Sequence, residues 1–325
     1  MRTHHKYKLH PPQSERAAAR RHREHDSHQY IVCCQSDEMI VASGISSQIL
    51  ASRVADALGC ELAFCEFKKF PDGEIYTRVD MERNEEAVVV QSIRSDADLM
   101  CLLQLIDAAS HLTESVDVVI PYMGYARQDR QFRRGEAVSA RVVARCVSAV
   151  AENVRRVFVV NVHSKHVLRY FTVPACEIDA VPLLSSYFSD LNDIVVIAPD
   201  KGAEDMAKSF ADAIYEKFGE KVRYEVLRKR RISEEEVEIE HKALEGENAI
   251  IVDDIISTGG TIAEAASLLR GMNVFVACVH GIFVQNALLR MRKAGIRDII
   301  STDTVESAFS KVSVAGAIAD ALRAK

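Results

Sequence analysis

Residues 249–261 read AIIVDDIISTGGT, in which four apolar residues precede two adjacent acids and a cluster of hydroxyls and glycines. The apolar run is typical of a strand that is buried on both faces of a parallel sheet. In open α/β sheets, ligands bind beyond the carboxyl ends of the strands. We therefore expect Asp253 and Asp254 to lie at the carboxyl edge of this strand, in a binding site.

The residues after the two acids have the composition of an anion-binding loop. Glycine lets the backbone approach a ligand closely, and the free N–H groups at a helix N-terminus favour a phosphate. Residues 262–269 carry apolar side chains at helical spacing, which predicts a helix next to the loop. Carboxylates can accept hydrogen bonds from sugar hydroxyls, so the whole stretch predicts a binding site for a sugar phosphate. The alternative is a plain strand-to-helix turn. The loop residues are Ser257, Thr258, Gly259, Gly260 and Thr261.

Two further segments combine turn residues with side chains that suit a nucleotide. Residues 67–79, FKKFPDGEIYTRV, place a Pro-Asp-Gly turn before an alternating strand, and a plain hairpin would explain this turn. Residues 121–136, PYMGYARQDRQFRRGE, place two tyrosines beside four arginines. Arginine suits bidentate phosphate contacts, and aromatic or glutamine side chains suit a base. The alternative for this second segment is a solvated run of charges.

Two residues that follow predicted strands have the chemistry of a magnesium site. His163 follows the strand predicted in VFVVNVHSKHVLRYF, and Asp200 follows VVIAP. Magnesium prefers oxygen and keeps most of its waters, so one histidine could act directly or through water. We predict a shared Mg²⁺ site, and the alternative is an ordinary packed or surface histidine.

Residues 228–240, RKRRISEEEVEIE, have many charges and few apolar side chains. This composition predicts a mobile surface loop. Lys229 and Arg231 lie at its root, where a lid over a polyphosphate would need positive charge.

The rest of the chain predicts the elements that position these segments. Short runs rich in Val and Ile alternate with helical patterns, such as the one in residues 97–112. This alternation predicts parallel sheets covered by helices. Because about 290 residues exceed one five-stranded sheet, we expect two α/β domains that meet near residues 172–180. The predicted strands lie near residues 39–42, 87–91, 117–121, 157–162, 194–198, 249–252 and 274–279.

Composition narrows the class of protein. The chain has 325 residues, of which 48% are hydrophobic and 27% charged, with a net charge of −6. This balance suits a soluble globular protein and gives no general reason to expect nucleic-acid binding. No apolar run approaches the roughly 18 residues that span a membrane. Eight cysteines without CxxC spacing predict reduced core residues of a cytoplasmic protein.

The N-terminal segment differs from the rest of the chain. Residues 1–29 carry seven Lys or Arg against three acids, together with six of the eleven histidines. Such a segment buries little apolar surface, so residues 1–38 are predicted to be a disordered extension. The alternatives are a contact for a polyanion or a metal, or a start codon assigned too early.

Five motifs in order resemble those of the ribose-phosphate diphosphokinases, also called phosphoribosyl-diphosphate synthetases. The motif DDIISTGGT also resembles the phosphoribosyl-diphosphate signature of type I phosphoribosyltransferases. The likeness runs from about Met39 to Ser313, and the wording IISTGGT is similar to the archaeal branch. The motifs are FPDGE at 70–74, YARQDR at 125–130, PDKG at 199–202, KRR at 229–231 and DDIISTGGT at 253–261.

The resemblance implies a fold and a role for each matching residue. The fold implied is α/β with two phosphoribosyltransferase-like domains, at 39–176 and 177–312, and a C-terminal helical segment at 313–325. One departure is Asn161, where bacterial and eukaryotic members usually have Asp, which puts metal binding through that position in question. The implied ATP-binding residues are Phe70, Asp72, Gly73, Glu74, Arg127 and Gln128. The implied Mg²⁺ ligands are His163 and Asp200, and the implied catalytic pair is Lys229 and Arg231. Ribose 5-phosphate would be bound by Arg231, Asp253, Asp254, Ser257, Thr258, Gly259, Gly260 and Thr261.

The activity implied is transfer of the diphosphoryl group of Mg-ATP to ribose 5-phosphate, which yields 5-phosphoribosyl 1-diphosphate and AMP. A homo-oligomer is also implied, because in this family the FPDGE loop reaches a neighbouring subunit's site. Two alternatives remain at this point. One is a phosphoribosyltransferase, and the other is a non-catalytic regulatory relative of the synthetase.

Overall fold

The structure, a computed structural model, describes residues 39–219, 221–231, 237–240 and 246–324, with the backbone alone at 228–231 and 237–240. The extension predicted for residues 1–38 lies outside the described residues. Two large sheets and a small two-stranded sheet account for the strands described here.

The first sheet has seven strands in the order β3-β2-β1-β4-β5-β6-β7. All of its strand pairs are parallel except the β2–β3 hairpin. Its strands are β1 (Met39–Ser43), β2 (Glu61–Lys69), β3 (Ile75–Asp80), β4 (Asn84–Val90), β5 (Thr113–Ile120), β6 (Val154–Val160) and β7 (Ala175–Ile178). The helices between them are α1 (Gln48–Leu58), α2 (Asp96–Ser110) and α3 (Ser139–Ala149), with a 3-10 helix at Lys165–Tyr170.

The second sheet has six parallel strands in the order β15-β14-β13-β12-β8-β9. They are β8 (Ile194–Ala198), β9 (Arg223–Val226), β12 (Asn248–Ile256), β13 (Asn273–Gly281), β14 (Asp298–Thr302) and β15 (Ser310–Val312). Strands β10 (Arg228–Arg231) and β11 (Val237–Glu240) form a separate antiparallel pair. The helices are α4 (Val181–Ser185), α5 (Glu204–Phe218), α6 (Gly260–Leu268), α7 (Ala287–Lys293) and α8 (Ala315–Arg323), with 3-10 turns at Ser186–Phe188 and Lys201–Ala203.

The predicted fold class is confirmed, and each of the seven predicted strands is present. Strands β7, β9, β14 and β15 were not predicted from apolar runs. Three of these are edge strands of three or four residues, and Ile178 is the one buried residue among them. An edge strand is held by pairing with one neighbour, so its sequence does not need a continuous apolar run.

Strand β12 is longer than the sequence predicted. Its pairing with β8 ends at Ile251, but its pairing with β13 continues to Ile256. Asp253 and Asp254 therefore lie within β12 instead of just beyond its end, which corrects the prediction. They still face a crevice at the carboxyl edge of β8, because β8 stops at Ala198 while β12 runs on.

The main buried cluster contains residues of both large sheets. It includes Val41 and Val90 from the first sheet and Ile250 from the second, together with Leu50 of α1 and Ile318 of α8. The guanidinium of Arg323, at the end of α8, also donates to the Ala57 carbonyl oxygen at 2.7 Å. Helix α8 thus returns to the first half of the chain, and the division at residues 176 and 177 stays a prediction.

The cysteines correct a second expectation. Cys60, Cys101 and Cys278 are free and buried, as predicted for reduced core residues. The prediction is wrong for Cys146 and Cys176, which are free but exposed.

Within the described ranges, no helix is long and apolar enough to cross a lipid bilayer.

A close backbone contact fixes the segment that follows β5. The Gly124 N–H donates to the Ile93 carbonyl at 2.9 Å. A Cβ atom at Gly124 would lie only 2.3 Å from that oxygen. We expect Gly124→Ala to lower the free energy of unfolding by about 1–3 kcal/mol, the usual cost of overpacking, as measured by urea denaturation.

The matched control is Gly316→Ala in α8, where a Cβ would meet nothing within 4 Å. Alanine is the better helix former, so this variant should be as stable as the parent or slightly more stable. Equal destabilisation by the two substitutions would contradict the explanation.

Candidate active site

A cavity of about 660 Å³ opens beside β12 and brings together most of the predicted sugar-phosphate and metal residues. One wall is formed by β12 and the turn into α6. The other walls come from the segment after β6, the segment after β8 and the residue Arg127. The predicted residues that line this cavity are Arg127, His163, Asp200, Asp253, Asp254, Ser257, Thr258, Gly259, Gly260 and Thr261.

The loop from Ser257 to Thr261 is shaped by its contact with α7. Gly259 has φ +68°, a left-handed conformation that favours glycine. A Cβ at Gly259 would lie 3.2 Å from Met291 Cγ and 3.3 Å from the Ala287 carbonyl oxygen. Helix α6 then begins at Gly260 with free backbone N–H groups at the cavity, so the loop has the geometry of an anion site.

The two adjacent carboxylates of β12 have different environments. Burial raises the pKa of Asp253 well above its ordinary range, and the charge of Asp254 raises it further. Burial also acts to raise the pKa of Asp254, but a hydrogen bond and the charge of His163 outweigh it and hold that pKa below its usual value. Asp254 is therefore the carboxylate that stays ionised, while Asp253 binds a proton more readily.

His163 is held in place by Asp254. Its Nδ1 lies 2.6 Å from Asp254 Oδ2. This bond raises the pKa of His163, because the carboxylate stabilises the protonated ring. Since Nδ1 faces Asp254, the Nε2 atom of His163 is left for another partner, as in histidines oriented by a carboxylate at metal sites.

Asn161 has a structural role in the segment after β6. Its backbone adopts φ +36°. Its side-chain oxygen accepts the Ala180 N–H at 2.7 Å, and its side-chain N–H donates to Asp179 Oδ1 at 2.9 Å. Both ends of the amide are thus engaged with the segment after β7, and Asp179 lines the cavity.

This arrangement predicts the effect of replacing Asn161 by the related acid. Asn161→Asp would remove the donor to Asp179 and place two carboxylates side by side. We expect the free energy of unfolding to fall by about 1–3 kcal/mol, with a smaller loss in acid than at neutral pH, as measured by urea denaturation.

The paired swap Asn161→Asp with Asp179→Asn is the control, because it restores one amide beside one carboxylate. It should recover part of the lost stability. An Asn161→Asp chain as stable as the parent, or a swap that recovers nothing, would show that this contact is unimportant.

Asp200 also lines the cavity, but one of its carboxylate oxygens already accepts a hydrogen bond. Its Oδ1 accepts the Gly202 N–H at 2.8 Å and caps the 3-10 turn that follows. Among the residues described, no group of three or more His, Cys, Asp or Glu side chains is arranged to hold a metal ion. His163 and Asp200 could therefore hold only a cation that keeps most of its water ligands, which is the habit of magnesium.

Arg127 and Gln128, the two residues after β5 that are predicted to bind a nucleotide, lie in different places. Arg127 is exposed and lines the cavity. Gln128 lies at the start of α3, where its side-chain oxygen accepts the Ser139 hydroxyl at 2.9 Å and its carbonyl accepts the Ala140 N–H at 3.2 Å. The structure thus places Arg127 at the cavity and gives Gln128 a role in starting a helix.

The FPDGE segment forms the tip of the β2–β3 hairpin, as the turn pattern predicted. The Phe70 N–H donates to the Glu74 carbonyl at 2.8 Å, and Asp72 Oδ1 accepts the Glu74 N–H at 3.2 Å. Gly73 has φ +100°, which the turn requires. Phe70, Asp72, Gly73 and Glu74 do not line the cavity described above, and the Phe70 side chain is 49% exposed.

The predicted catalytic pair lies on β10. The sequence predicted a loop over residues 228–240, whereas the backbone forms two short antiparallel strands with Lys229 opposite Ile239 and Arg231 opposite Val237. Alternating Val and Ile residues in β11 allow this pairing despite the many charges. The side chains of Lys229 and Arg231 lie outside the described part of the chain.

Sequence reasoning missed Asp179, which lines the cavity, and Arg290, which contacts the loop beside it. Asp179 follows β7, so it stands at a strand's carboxyl end as His163 and Asp200 do, and the same signal could have found it. Arg290 lies on α7, and its Nη1 donates to the Thr258 carbonyl at 2.6 Å. No local pattern in the sequence indicates that contact.

Comparison with known proteins identifies the family. The model of the N-terminal domain of ribose phosphate pyrophosphokinase matches residues 39–151, and the phosphoribosyl transferase domain matches residues 166–311. A ribose-phosphate pyrophosphokinase of Methanosarcina acetivorans is 44% identical over 293 residues, which cover 88% of this chain and 99% of that protein. One from Methanosarcina mazei is 46% identical over 290 residues, covering 87% of this chain and 94% of the relative.

A solved structure agrees with these sequence relatives. The crystal structure of phosphoribosylpyrophosphate synthetase from Mycobacterium smegmatis is 28% identical, with a TM-score of 0.76. The match covers 88% of this chain and 98% of that chain. The predicted resemblance, including its archaeal character, is confirmed, and the chain belongs to the ribose-phosphate pyrophosphokinase family.

Proposed function

We propose that this chain transfers the diphosphoryl group of Mg-ATP to the C1 hydroxyl of ribose 5-phosphate, giving 5-phosphoribosyl 1-diphosphate and AMP. The observation that carries the proposal is one cavity in which adjacent carboxylates meet a glycine-rich loop at a helix start. The names of the relatives, which are similar over nearly their whole length, support the same reaction.

The sugar phosphate would bind along β12 and the loop after it. The 5-phosphate would accept hydrogen bonds from Ser257, Thr258 and Thr261 and from the backbone of Gly259 and Gly260, which lie at the start of α6. Asp253 and Asp254 would accept hydrogen bonds from the ribose hydroxyls. This division follows the chemistry, because carboxylates repel phosphate but suit hydroxyl donors.

Cations are needed at this cavity because acids outnumber bases along its walls. Among the described residues, the acids that line it are Glu177, Asp179, Asp200, Asp205, Asp253 and Asp254, and the basic residues are Arg127, Lys165 and His163, the last of which is paired with Asp254. Lys165 is paired with Glu177 at 3.2 Å. A polyphosphate could bind beside so many carboxylates only with compensating positive charge.

We propose that His163 and Asp200 hold Mg²⁺, with water as the remaining ligands. The Nε2 atom of His163 and the second oxygen of Asp200 are the atoms that would do so. The ion would neutralise phosphate charge during the transfer.

We propose that ATP is bound by Phe70, Asp72, Gly73, Glu74, Arg127 and Gln128. Gln128 would bind it through its amide nitrogen, because its side-chain oxygen accepts the Ser139 hydroxyl.

The transfer itself requires alignment and positive charge. The C1 hydroxyl would release its proton to water and its oxygen would form a bond to the β-phosphorus as the bond from that phosphorus to the α,β-bridging oxygen breaks, and AMP would leave. Phosphoryl transfer depends mainly on positioning and charge neutralisation. Lys229 and Arg231 are proposed to supply that charge, and Arg231 would also contact ribose 5-phosphate.

We also propose a homo-oligomer in which the Phe70–Glu74 tip of one copy reaches the cavity of another. The position of this tip outside its own cavity supports the proposal. A cytoplasmic location is proposed on the buried free thiols of Cys60, Cys101 and Cys278.

The test is to mix the purified chain with ATP, ribose 5-phosphate and Mg²⁺ and to separate the nucleotides. AMP that forms only when ribose 5-phosphate is present is the expected result. ADP as the product would indicate an ordinary kinase, and no nucleotide turnover would contradict the proposal. Chelation of Mg²⁺ by EDTA should abolish AMP formation, and excess Mg²⁺ should restore it.

A further inference from the structure

Arg290 contacts the loop that is proposed to bind the 5-phosphate. Its Nη1 donates to the Thr258 carbonyl at 2.6 Å. The same Nη1 lies 3.8 Å from the position that a Cβ would take on Gly260. The guanidinium group therefore lies against the backbone of this loop, next to the start of α6.

Helix α7 contacts this loop at Gly259 as well as at Thr258. Gly259 approaches Met291 and the Ala287 carbonyl closely, because a Cβ there would make contacts of 3.2 Å and 3.3 Å, tighter than an ordinary van der Waals contact. Arg290 precedes Met291 on the same helix. The apolar contact and the arginine thus hold two successive residues of the loop, Thr258 and Gly259.

The hydrogen bond to Thr258 also sets the direction of the next N–H group. The carbonyl of Thr258 and the N–H of Gly259 belong to one peptide unit, and in a trans peptide these two groups point in opposite directions. A carbonyl that is held toward α7 therefore turns the Gly259 N–H away from α7. Thr258 and Gly259 both line the cavity, where an N–H group that faces away from α7 is available to the proposed phosphate.

Arg290 also places a positive charge beside a cavity whose charged lining residues are mainly acidic. Among the described residues, the basic side chains that line the cavity are Arg127, Lys165 and His163, of which Lys165 is paired with Glu177 and His163 with Asp254. The guanidinium group of Arg290 lies against the loop without lining the cavity. Its positive charge lowers the cost of placing a phosphate on the loop.

We propose that Arg290 is a positioning residue that prepares the Thr258–Gly259 peptide to receive the phosphate of the sugar substrate. The proposal rests on the proposed function, because it assumes that ribose 5-phosphate binds at Ser257–Thr261. Arg290 acts here through the backbone of the loop. Its loss should therefore weaken binding of the sugar phosphate and leave the apparent affinity for ATP unchanged.

The test compares Arg290→Met, Arg290→Lys and the control Arg292→Met. Arg292 lies on the same helix and donates to the Arg297 carbonyl at 2.5 Å, away from the loop. We expect Arg290→Met to raise KM for ribose 5-phosphate and its calorimetric Kd about tenfold, the usual loss for a charge-assisted hydrogen bond. Arg290→Lys should recover part of the loss. KM for ATP and the thermal midpoint should match those of Arg292→Met.

The two proposals can fail separately. Calorimetric binding of ribose 5-phosphate equal in Arg290→Met and Arg292→Met would overturn the role of Arg290 while leaving the reaction intact. A parallel rise in KM for ATP, or the same losses in Arg292→Met, would also overturn it. Binding of ribose 5-phosphate without AMP formation by the parent chain would overturn the proposed function alone.

Discussion

Lys229→Ala should lower turnover by about two to three orders of magnitude and leave the calorimetric Kd for ribose 5-phosphate unchanged. In our account, the ammonium group stabilises charge that develops on phosphate oxygens during the transfer. The sugar phosphate is instead proposed to bind at the loop after β12. Turnover is measured as AMP formed per unit time, and binding is measured by calorimetry without ATP.

The neighbouring Arg230→Ala is the matched control. Arg230 lies between the two proposed catalytic residues on β10. This control removes one positive charge from the same strand and leaves Lys229 and Arg231 in the chain. Equal losses of turnover in the two variants, or a parallel loss of ribose 5-phosphate binding in Lys229→Ala, would contradict the assigned role.

Asp254→Asn should lower kcat/KM for ribose 5-phosphate by about a hundredfold, the upper range for a residue that orients a metal ligand. The asparagine keeps the shape of the side chain and can still accept a hydrogen bond from His163 Nδ1. It removes the negative charge that stabilises His163, and it weakens the acceptor proposed for the ribose hydroxyls. The measurement is steady-state kinetics with ribose 5-phosphate and Mg²⁺ varied in turn.

Two comparisons separate charge from shape in that experiment. Asp254→Ala removes the hydrogen bond as well and should be at least as impaired. Asp205→Asn changes an exposed acid on α5 that lines the same cavity, and it should behave like the parent chain. If Asp205→Asn were as impaired as Asp254→Asn, the loss would reflect the total charge of the cavity and not the contact with His163.

Local patterns explain why much of the site could be predicted from the sequence. An apolar strand, adjacent acids and a glycine-rich loop are consecutive along the chain, and each feature is visible without knowledge of the fold. The same holds for the turn at Phe70–Glu74. Because β8 and β12 are parallel strands of one sheet, Asp200 could be expected beside this loop. His163 follows β6 of the other large sheet, so its position at the same cavity depends on contacts between distant segments.

Contacts between distant segments could not be predicted in the same way. Arg290 contacts Thr258 only because α7 packs against the loop. The sequence of α7 is that of an ordinary basic, amphipathic helix and does not indicate this contact. Asn161 meets Asp179 because β6 and β7 are neighbours, and β7 is too short to give an apolar run. The extra length of β12 likewise depends on pairing with β13, which the sequence of β12 alone does not indicate.

The most direct test of the proposed reaction follows the β-phosphorus of ATP. The chain is incubated with ribose 5-phosphate, Mg²⁺ and ATP that carries an isotope label at the β-phosphorus, and the products are separated. We predict that the label moves to the sugar phosphate while unlabelled AMP is released. A label that stays on ADP, with only the γ-phosphoryl group transferred, would contradict the account.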